Sequence, residues 1–300
     1  MILVAGSTGF VGQSICRRLA AEGKSVRALV RPTAAADKVD ALRQIGVEIA
    51  TGDVRDRASL EAACRRVTAV ISTVSAMPMS YVPGENDVQT VDEAGLANLI
   101  DSAQAAQVGH FIYTSFSANM DLDFPLRNAK RATEARVQAS GMTYTILRPS
   151  YFMEVWLSPI VGFDYAGGTV QVYGNGEAPI SFISLEDVAQ FAVASLGNPA
   201  ARNAVLELGG PAALSPHQVI RLFEQAADRS FAVNYVPETA LAEQQRSTPD
   251  PMQQSFAGLM RCYARGDAID MRAVQQAFAL PMTTVAQYAT VVTATPVVAD

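Results

Sequence analysis

Three hundred residues suffice for one large α/β domain, or for a nucleotide-type domain with a smaller companion, and imply a sizeable buried core. Hydrophobic residues make up 49% and charged ones 17%, below the usual charged share of about 25%, so some surface is spent on an apolar pocket or a subunit contact, with a homodimer left open. A net charge of -6 argues against nucleic acid or an anionic membrane as partner, because phosphate binding needs a basic face; small molecules are the expected partners.

The chain begins MILVAGST, without a basic region before the apolar residues or a small-residue cleavage site after them, so no signal peptide is expected. No apolar run approaches the ~20 residues of a membrane span. Cys16, Cys64 and Cys262 are odd in number and far apart, which suits a reducing cytoplasm better than a disulfide framework. The two histidines, His110 and His217, form no cluster with them at ligand spacing, so no zinc or other metal is expected.

In chain order, short β-branched runs at 2–5, 25–30, 47–50, 69–74, 111–114 and 144–147 alternate with helical patterns. The spacing predicts βαβ units with right-handed crossovers. The first helix is expected over 11–22, where Ile15 and Leu19 sit one turn apart and Gly23 supplies a stop. Another is expected over 88–106, and a third contains Lys130. These make a doubly wound parallel sheet, with ligands at the carboxyl ends of its strands. Beyond Leu147 the rhythm breaks at Pro149, Pro159, Gly167-Gly168 and Gly174-Asn175-Gly176. Residues 1–150 are therefore read as the nucleotide domain, with about 184–210 returning to its sheet through a capped helix and a strand at 204–208. Residues 151–300 otherwise form a smaller, less regular substrate region, with helices at 214–227 and 267–278.

Between the first strand and first helix stands GSTGFVG, with Gly6, Gly9 and Gly12 at three-residue spacing. Glycine there permits a tight turn and lets main chain, at Phe10 and Val11 too, approach a pyrophosphate at a helix N-terminus; the plain alternative is a turn that only packs helix on strand. Ser7 and Thr8 offer hydroxyls. Arg31 ends the second strand, nineteen residues beyond Gly12, and no carboxylate lies between Lys24 and Ala36. An acid near that place would suit the 2′-hydroxyl of NAD, whereas arginine suits the 2′-phosphate of NADP. Asp53, beside Val54, either accepts from an adenine amino group or caps the helix at Arg57. Thr73, Val74 and Ser75 would pass over the adenosine ribose, or form an ordinary strand exit.

GSTGFVG, LVRP, GDVRD, FIYTSFSAN, the helix of Lys130 and Glu134, SGMTYTILRPSYFMEVW, FISLEDVAQFAVASL and LELGGPAALSPHQVIRLF together resemble the NmrA-like branch of the atypical short-chain dehydrogenase/reductases, over nearly the whole chain. The resemblance implies a Rossmann fold, a small C-terminal substrate region and NADP(H) as cofactor. That branch holds isoflavone and lignan-type reductases, quinone and dye reductases, and redox-sensing regulators. The wider superfamily uses Tyr-x-x-x-Lys, but four residues before Lys130 stands Leu126. The usual proton-donating phenol is missing, which disfavours alcohol dehydrogenation, epimerisation and sugar dehydration. In isoflavone-type reductases a lysine on the corresponding helix handles a proton without the tyrosine, and Lys130 resembles it.

Ser115, Ser117, Lys130 and Tyr151 are the candidates for the reacting end, with Pro149 beside the cofactor. Holding the nicotinamide ribose is the preferred role for Lys130, because acid/base work would need burial or a nearby cation to lower an ordinary value near ~10.4. Glu134 either orients Lys130 or forms an exposed pair, the latter preferred. Ser115 and Ser117 either bond a substrate oxygen or satisfy strand-end backbone groups. Met77, Met79 and Tyr81, with Phe152, Met153 and Trp156, are the candidates for an apolar aromatic pocket, about half of them expected to be core. Glu154 faces that pocket or solvent, and Asp187 is read as a cap. The leading expectation is an NADPH-dependent reductase acting on a small conjugated or aromatic acceptor such as a quinone, enone, imine or aromatic ketone. The alternative is an NADP(H)-sensing regulator without turnover.

Overall fold

The computed structural model describes residues 1–77 and 81–294. The strands are β1 (Ile2–Ala5), β2 (Val26–Val30), β3 (Glu48–Thr51), β4 (Ala69–Ser72), β5 (His110–Thr114), β6 (Thr143–Pro149), β7 (Phe163–Asp164), β8 (Thr169–Tyr173), β9 (Ala204–Leu208) and β10 (Ala232–Val236). Seven of them form one sheet in the order β3-β2-β1-β4-β5-β6-β9. The pairs from β3 through β6 are all parallel. β1 and β4 are buried at every residue, as expected of strands covered on both faces rather than alternating in and out. The strand order reverses between β1 and β4, which makes that carboxyl edge the switch point where ligands settle. The fold is the Rossmann-like α/β arrangement.

The helices are α1 (Phe10–Ala21), α2 (Ala36–Gln44), α3 (Arg57–Ala63), α4 (Leu96–Ala105), α5 (Pro125–Ala139), α6 (Met153–Trp156), α7 (Leu185–Ala194), α8 (Pro216–Ala227), α9 (Glu238–Ser247), α10 (Pro251–Arg265), α11 (Arg272–Phe278) and α12 (Val285–Ala294). Two compact units result. The first comprises Met1–Phe116, Pro125–Arg148 and Val188–Leu206; the second comprises Ser117–Phe124, Pro149–Asp187 and Glu207–Asp300. Short excursions such as Ser117–Phe124 thus belong with the second unit, a detail that no composition change announces.

In the first unit, α1 buries Val11, Ile15, Cys16 and Leu19 on one stripe. It ends where Gly23, at φ +69°, donates to the Ala20 carbonyl. The helix expected over 88–106 is present but opens differently. Its first stretch, Val88–Gly95, is π-helical and capped by Asp87, whose carboxylate accepts from the Thr90 N–H. The core beneath gathers Leu3, Leu60, Val70, Leu96, Leu99, Phe111 and Tyr113.

In the second unit, β10-β8-β7 form a small sheet, β10 parallel and β7 antiparallel to β8. α8 starts at a capping box of Ser215 and Gln218 with Pro216 in its first turn, as the sequence predicts, and α12 packs on it. The helix expected over 267–278 begins only at Arg272. Asp267 instead holds the Ser117 hydroxyl at 2.6 Å and the Asn119 amide at 2.8 Å. Asp187 is buried and accepts from the Thr283 N–H and hydroxyl. The α7 cap is Ser184, whose hydroxyl accepts from Glu186 and Asp187 N–H.

The β1–α1 turn shows why the glycines stand where they do. Gly6 has φ +82°, and a Cβ on it would lie 2.5 Å from the Thr73 hydroxyl oxygen. A Cβ on Gly12 would lie 2.1 Å from the Gly6 carbonyl oxygen, and one on Gly9 3.3 Å from the same atom. Gly12→Ala should therefore destabilise the protein by about 1–3 kcal/mol, as overpacking does, and Gly9→Ala by clearly less. Urea unfolding without added nucleotide checks this; equal effects would contradict it.

Candidate functional site

The carboxyl ends of the parallel strands bring the Gly6–Gly12 turn, Arg31, Asp53, Thr73–Ser75 and Ser115 to one edge of the first unit's sheet. No side chain caps α1 at Gly9. The main-chain N–H groups of Phe10, Val11 and Gly12 therefore lack intrahelical acceptors, and the helix dipole favours an anion in front of them. Phe10 is 64% exposed, while Val11 is turned into the core. The cradle closes on backbone alone and fits a pyrophosphate. Ser7 departs from its expected role: its buried hydroxyl donates to the Leu29 carbonyl at 2.8 Å, which ties the turn to β2. Thr8 is half-buried.

Arg31 is half-buried at the end of β2, and its Nη1 donates to Asn86 Oδ1 at 3.0 Å. Asp53 does not cap the helix at Arg57; its carboxylate is turned to Arg55 instead. Its carboxylate accepts from the Arg55 N–H at 2.9 Å and from that guanidinium at 2.9 and 2.7 Å. Those bonds hold its carboxyl below the usual range. The cap of α3 is Asp56. Val54 is buried under Gly95. Arg55 also donates to the Glu85 carbonyl, so Arg31 and Arg55 both grip the 85–86 segment. Thr73 returns to β1 through its N–H to the Ala5 carbonyl, while Val74 and Ser75 stay half-buried.

α5 turns Leu126, Lys130 and Glu134 to its buried face. Lys130, 6% exposed, has its Nζ 4.0 Å from the Asp92 carboxylate and 5.4 Å from the centre of the Tyr113 ring. Burial lowers its pKa, opposed by Asp92 and Glu134 and assisted by Arg131. Glu134 is neither exposed nor paired with Lys130. It is buried and bridges Arg131 and Arg148, so the exposed pair expected for it is corrected. The two arginines absorb its charge and leave Asp92 as the ion-pair partner of Lys130 among the described residues. Asp92 was not singled out from the sequence. The available signal was an acid inside the apolar stripe Val88, Val91, Leu96 and Leu99.

Ser115 is buried, with its N–H on the Leu147 carbonyl and its hydroxyl 3.4 Å from Arg131 Nη1. In the second unit, the Ser117 hydroxyl is committed to Asp267 and its N–H to the buried Pro149. Tyr151 is 1% exposed and donates its hydroxyl to the Leu259 carbonyl at 3.0 Å, so its phenol is engaged in the core rather than presented to a substrate. Trp156 stacks on Tyr263 with ring centres 5.3 Å apart and meets Tyr151 edge-on at 4.7 Å. Met153 is fully buried. Tyr151, Met153 and Trp156 are thus packing of the second unit, not pocket lining. Phe152 is half-buried, as are Met77 and Tyr81 in the first unit; Met79 lies outside the described residues. Glu154 is half-buried, and both its oxygens accept from the Leu185 N–H at the start of α7.

Among the described residues no His, Cys, Asp and Glu cluster could hold a metal ion, and no helix is long and apolar enough to cross a membrane. The chain is 32% identical over 261 residues to an NAD(P)H azoreductase of Xenophilus azovorans, covering 87% of this chain and 85% of that one. It is 30% identical to the photosystem II assembly factor Ycf39 of Trieres chinensis, covering 79% and 72%. Among solved structures, an NADPH-dependent quinone oxidoreductase of Escherichia coli complexed with NADPH superposes with a TM-score of 0.78 at 22% identity, covering 97% of this chain and 99% of that one. The NmrA-like family model matches residues 1–291, and with the open glycine cradle, the switch-point edge and the buried Lys130 all on this chain, it is a member of the NmrA-like family.

Proposed function

We propose that the protein is an NADPH-dependent reductase that passes hydride to a small, apolar, conjugated or aromatic acceptor: a quinone, enone, imine or aromatic ketone. The observation that carries this reading is the buried face of α5, where Leu126 occupies the place four residues before Lys130. A side chain without a proton there suits acceptors whose reduction needs positioning more than a strong acid. The azoreductase relative and the quinone oxidoreductase neighbour support the same class.

On this reading the main chain of Gly6, Gly9 and Gly12, with Phe10 and Val11, holds the pyrophosphate, and Arg31 holds the 2′-phosphate. Thr73, Val74 and Ser75 flank the adenosine side. Lys130 holds the nicotinamide ribose, and Ser115 stands at the end of β5 toward the reacting part. Bound NADPH supplies the hydride. Burial lowers the pKa of Lys130, opposed by Asp92 and Glu134, which makes it the candidate on this face of α5 to give a proton to an acceptor heteroatom. Met77 and Tyr81 are the remaining first-unit candidates for apolar contact with the acceptor. A regulator that binds NADP(H) without turnover is the second reading, favoured by the same missing phenol and by the relative named as an assembly factor.

Following NADPH oxidation against quinones, azo dyes, enones, imines and aromatic ketones separates the two. Turnover of at least one class is expected; tight NADPH binding with no acceptor reduced would overturn the reductase reading in favour of the regulator. Arg31→Asp should weaken NADPH binding about ten- to a hundredfold, the loss of charge-assisted hydrogen bonds worth about 1.5–3 kcal/mol, and NADH binding far less. Equal weakening of both, by fluorescence titration, would contradict the 2′-phosphate assignment. Lys130→Ala should raise the Kd for NADPH. Unchanged affinity with lost turnover would instead make Lys130 a proton-transfer group only.

A further inference from the structure

Asp92 sits in the π-helical stretch that leads into α4, an irregularity that occurs frequently at functional sites, and its side chain is wholly buried. One carboxylate oxygen, Oδ2, accepts from the Ala76 N–H at 2.9 Å. The other, Oδ1, accepts no hydrogen bond and faces the Lys130 ammonium at 4.0 Å. The Asp92 carbonyl also accepts from the Thr133 hydroxyl at 3.2 Å, so α5 is fastened at Asp92 by two side chains one turn apart. A buried carboxylate with one unbonded oxygen is costly unless a cation compensates it. Glu134 cannot take that place because Arg131 and Arg148 already hold it.

We propose that Asp92 is a positioning residue for cofactor binding: its carboxylate keeps Lys130 an ammonium and ties that ammonium, through the Ala76 amide, to the main chain that follows β4. The proposal rests on the reading that Lys130 holds the cofactor. The groups facing the pair are Tyr113 from β5, Glu134 and Arg131 from α5, and, toward Asp92, Ser75 and Asp87. Burial pushes the Asp92 carboxyl up and the Lys130 amine down, and their mutual attraction opposes both movements. Removing the Asp92 charge leaves desolvation and Arg131 against the ammonium with Glu134 alone still favouring it, so Lys130 loses its proton at lower pH.

The test is the Kd for NADPH as a function of pH in the native chain, in Asp92→Asn, which retains an acceptor for the Ala76 N–H, and in both backgrounds carrying Lys130→Arg. The expected result is that Asp92→Asn moves the alkaline loss of affinity down by about one pH unit or more, as loss of a close opposite charge does. In the Lys130→Arg background, where the cation cannot be deprotonated, the same substitution should leave the pH profile in place. An unmoved alkaline limb, or an equal movement in both backgrounds, overturns the proposal. Should Asp92→Asn not fold, carboxylate 13C titration of Asp92 in the native chain and in Lys130→Met decides it. The Asp92 titration should move to higher pH without the lysine, and an unchanged one overturns the proposal. Both readouts measure binding or protonation, so a protein that reduces no acceptor would sink the reductase reading and leave this one standing.

Discussion

No side-chain atom fits between the Gly12 main chain and the Gly6 carbonyl, and the nucleotide edge depends on that contact. It lets α1 start directly on the end of β1, with its first N–H groups uncapped and aimed along the sheet. Neighbouring parts reinforce the turn: Ser7 binds the β2 backbone and Thr73 the β1 backbone. The parallel register from β3 to β6 then carries every loop that follows a strand to the same edge. The site is therefore a consequence of packing before it is a matter of chemistry.

The second constraint is electrical neutrality inside a low-dielectric wall. α5 turns one cation and one anion four residues apart into the interior, yet they do not neutralise each other. Glu134 is compensated by Arg131 and Arg148, Lys130 by Asp92. Buried charges that lose a partner become strongly destabilising. Each compensation thus fixes the rotamer of the group it serves, and the aromatic face of Tyr113 adds to the confinement of Lys130. A lysine held this way is a defined feature of the site and not a solvated charge.

Much of the first unit was legible because its signals are local. Apolar runs mark β1 and β4, β2 is apolar but for Arg27, and the glycine spacing marks the turn. Ser215-Pro216 likewise marks the start of α8. The second unit was less legible for physical reasons. α9 is polar around most of its circumference, with Leu241 its one fully buried residue among ten. The Asp250-Pro251 start of α10 was readable in principle, since Asp250 accepts from Met252 and Gln253 N–H. Periodicity placed Lys130 and Glu134 on one face correctly but could not say which charge each would meet. That choice depends on Asp92 and Arg148, which are remote in sequence. The same limit explains Tyr151 and Trp156: aromatic residues after a strand read alike whether they line a pocket or stack on Tyr263.

The bond from Arg31 to Asn86 bears on how selectivity between the two nicotinamide dinucleotides would arise. An arginine that must be ordered by its ligand gives up about 0.5–1.5 kcal/mol of rotamer freedom on binding. Here the guanidinium is already held by a neutral amide, so that loss occurs at folding and is common to both dinucleotides. What remains at the 2′ position is an exchange of an amide oxygen for a phosphate oxygen, an enthalpic contrast between a dipole and a charge. Selectivity built on such an exchange tracks the phosphate's own ionisation and weakens as the dianion takes up a proton.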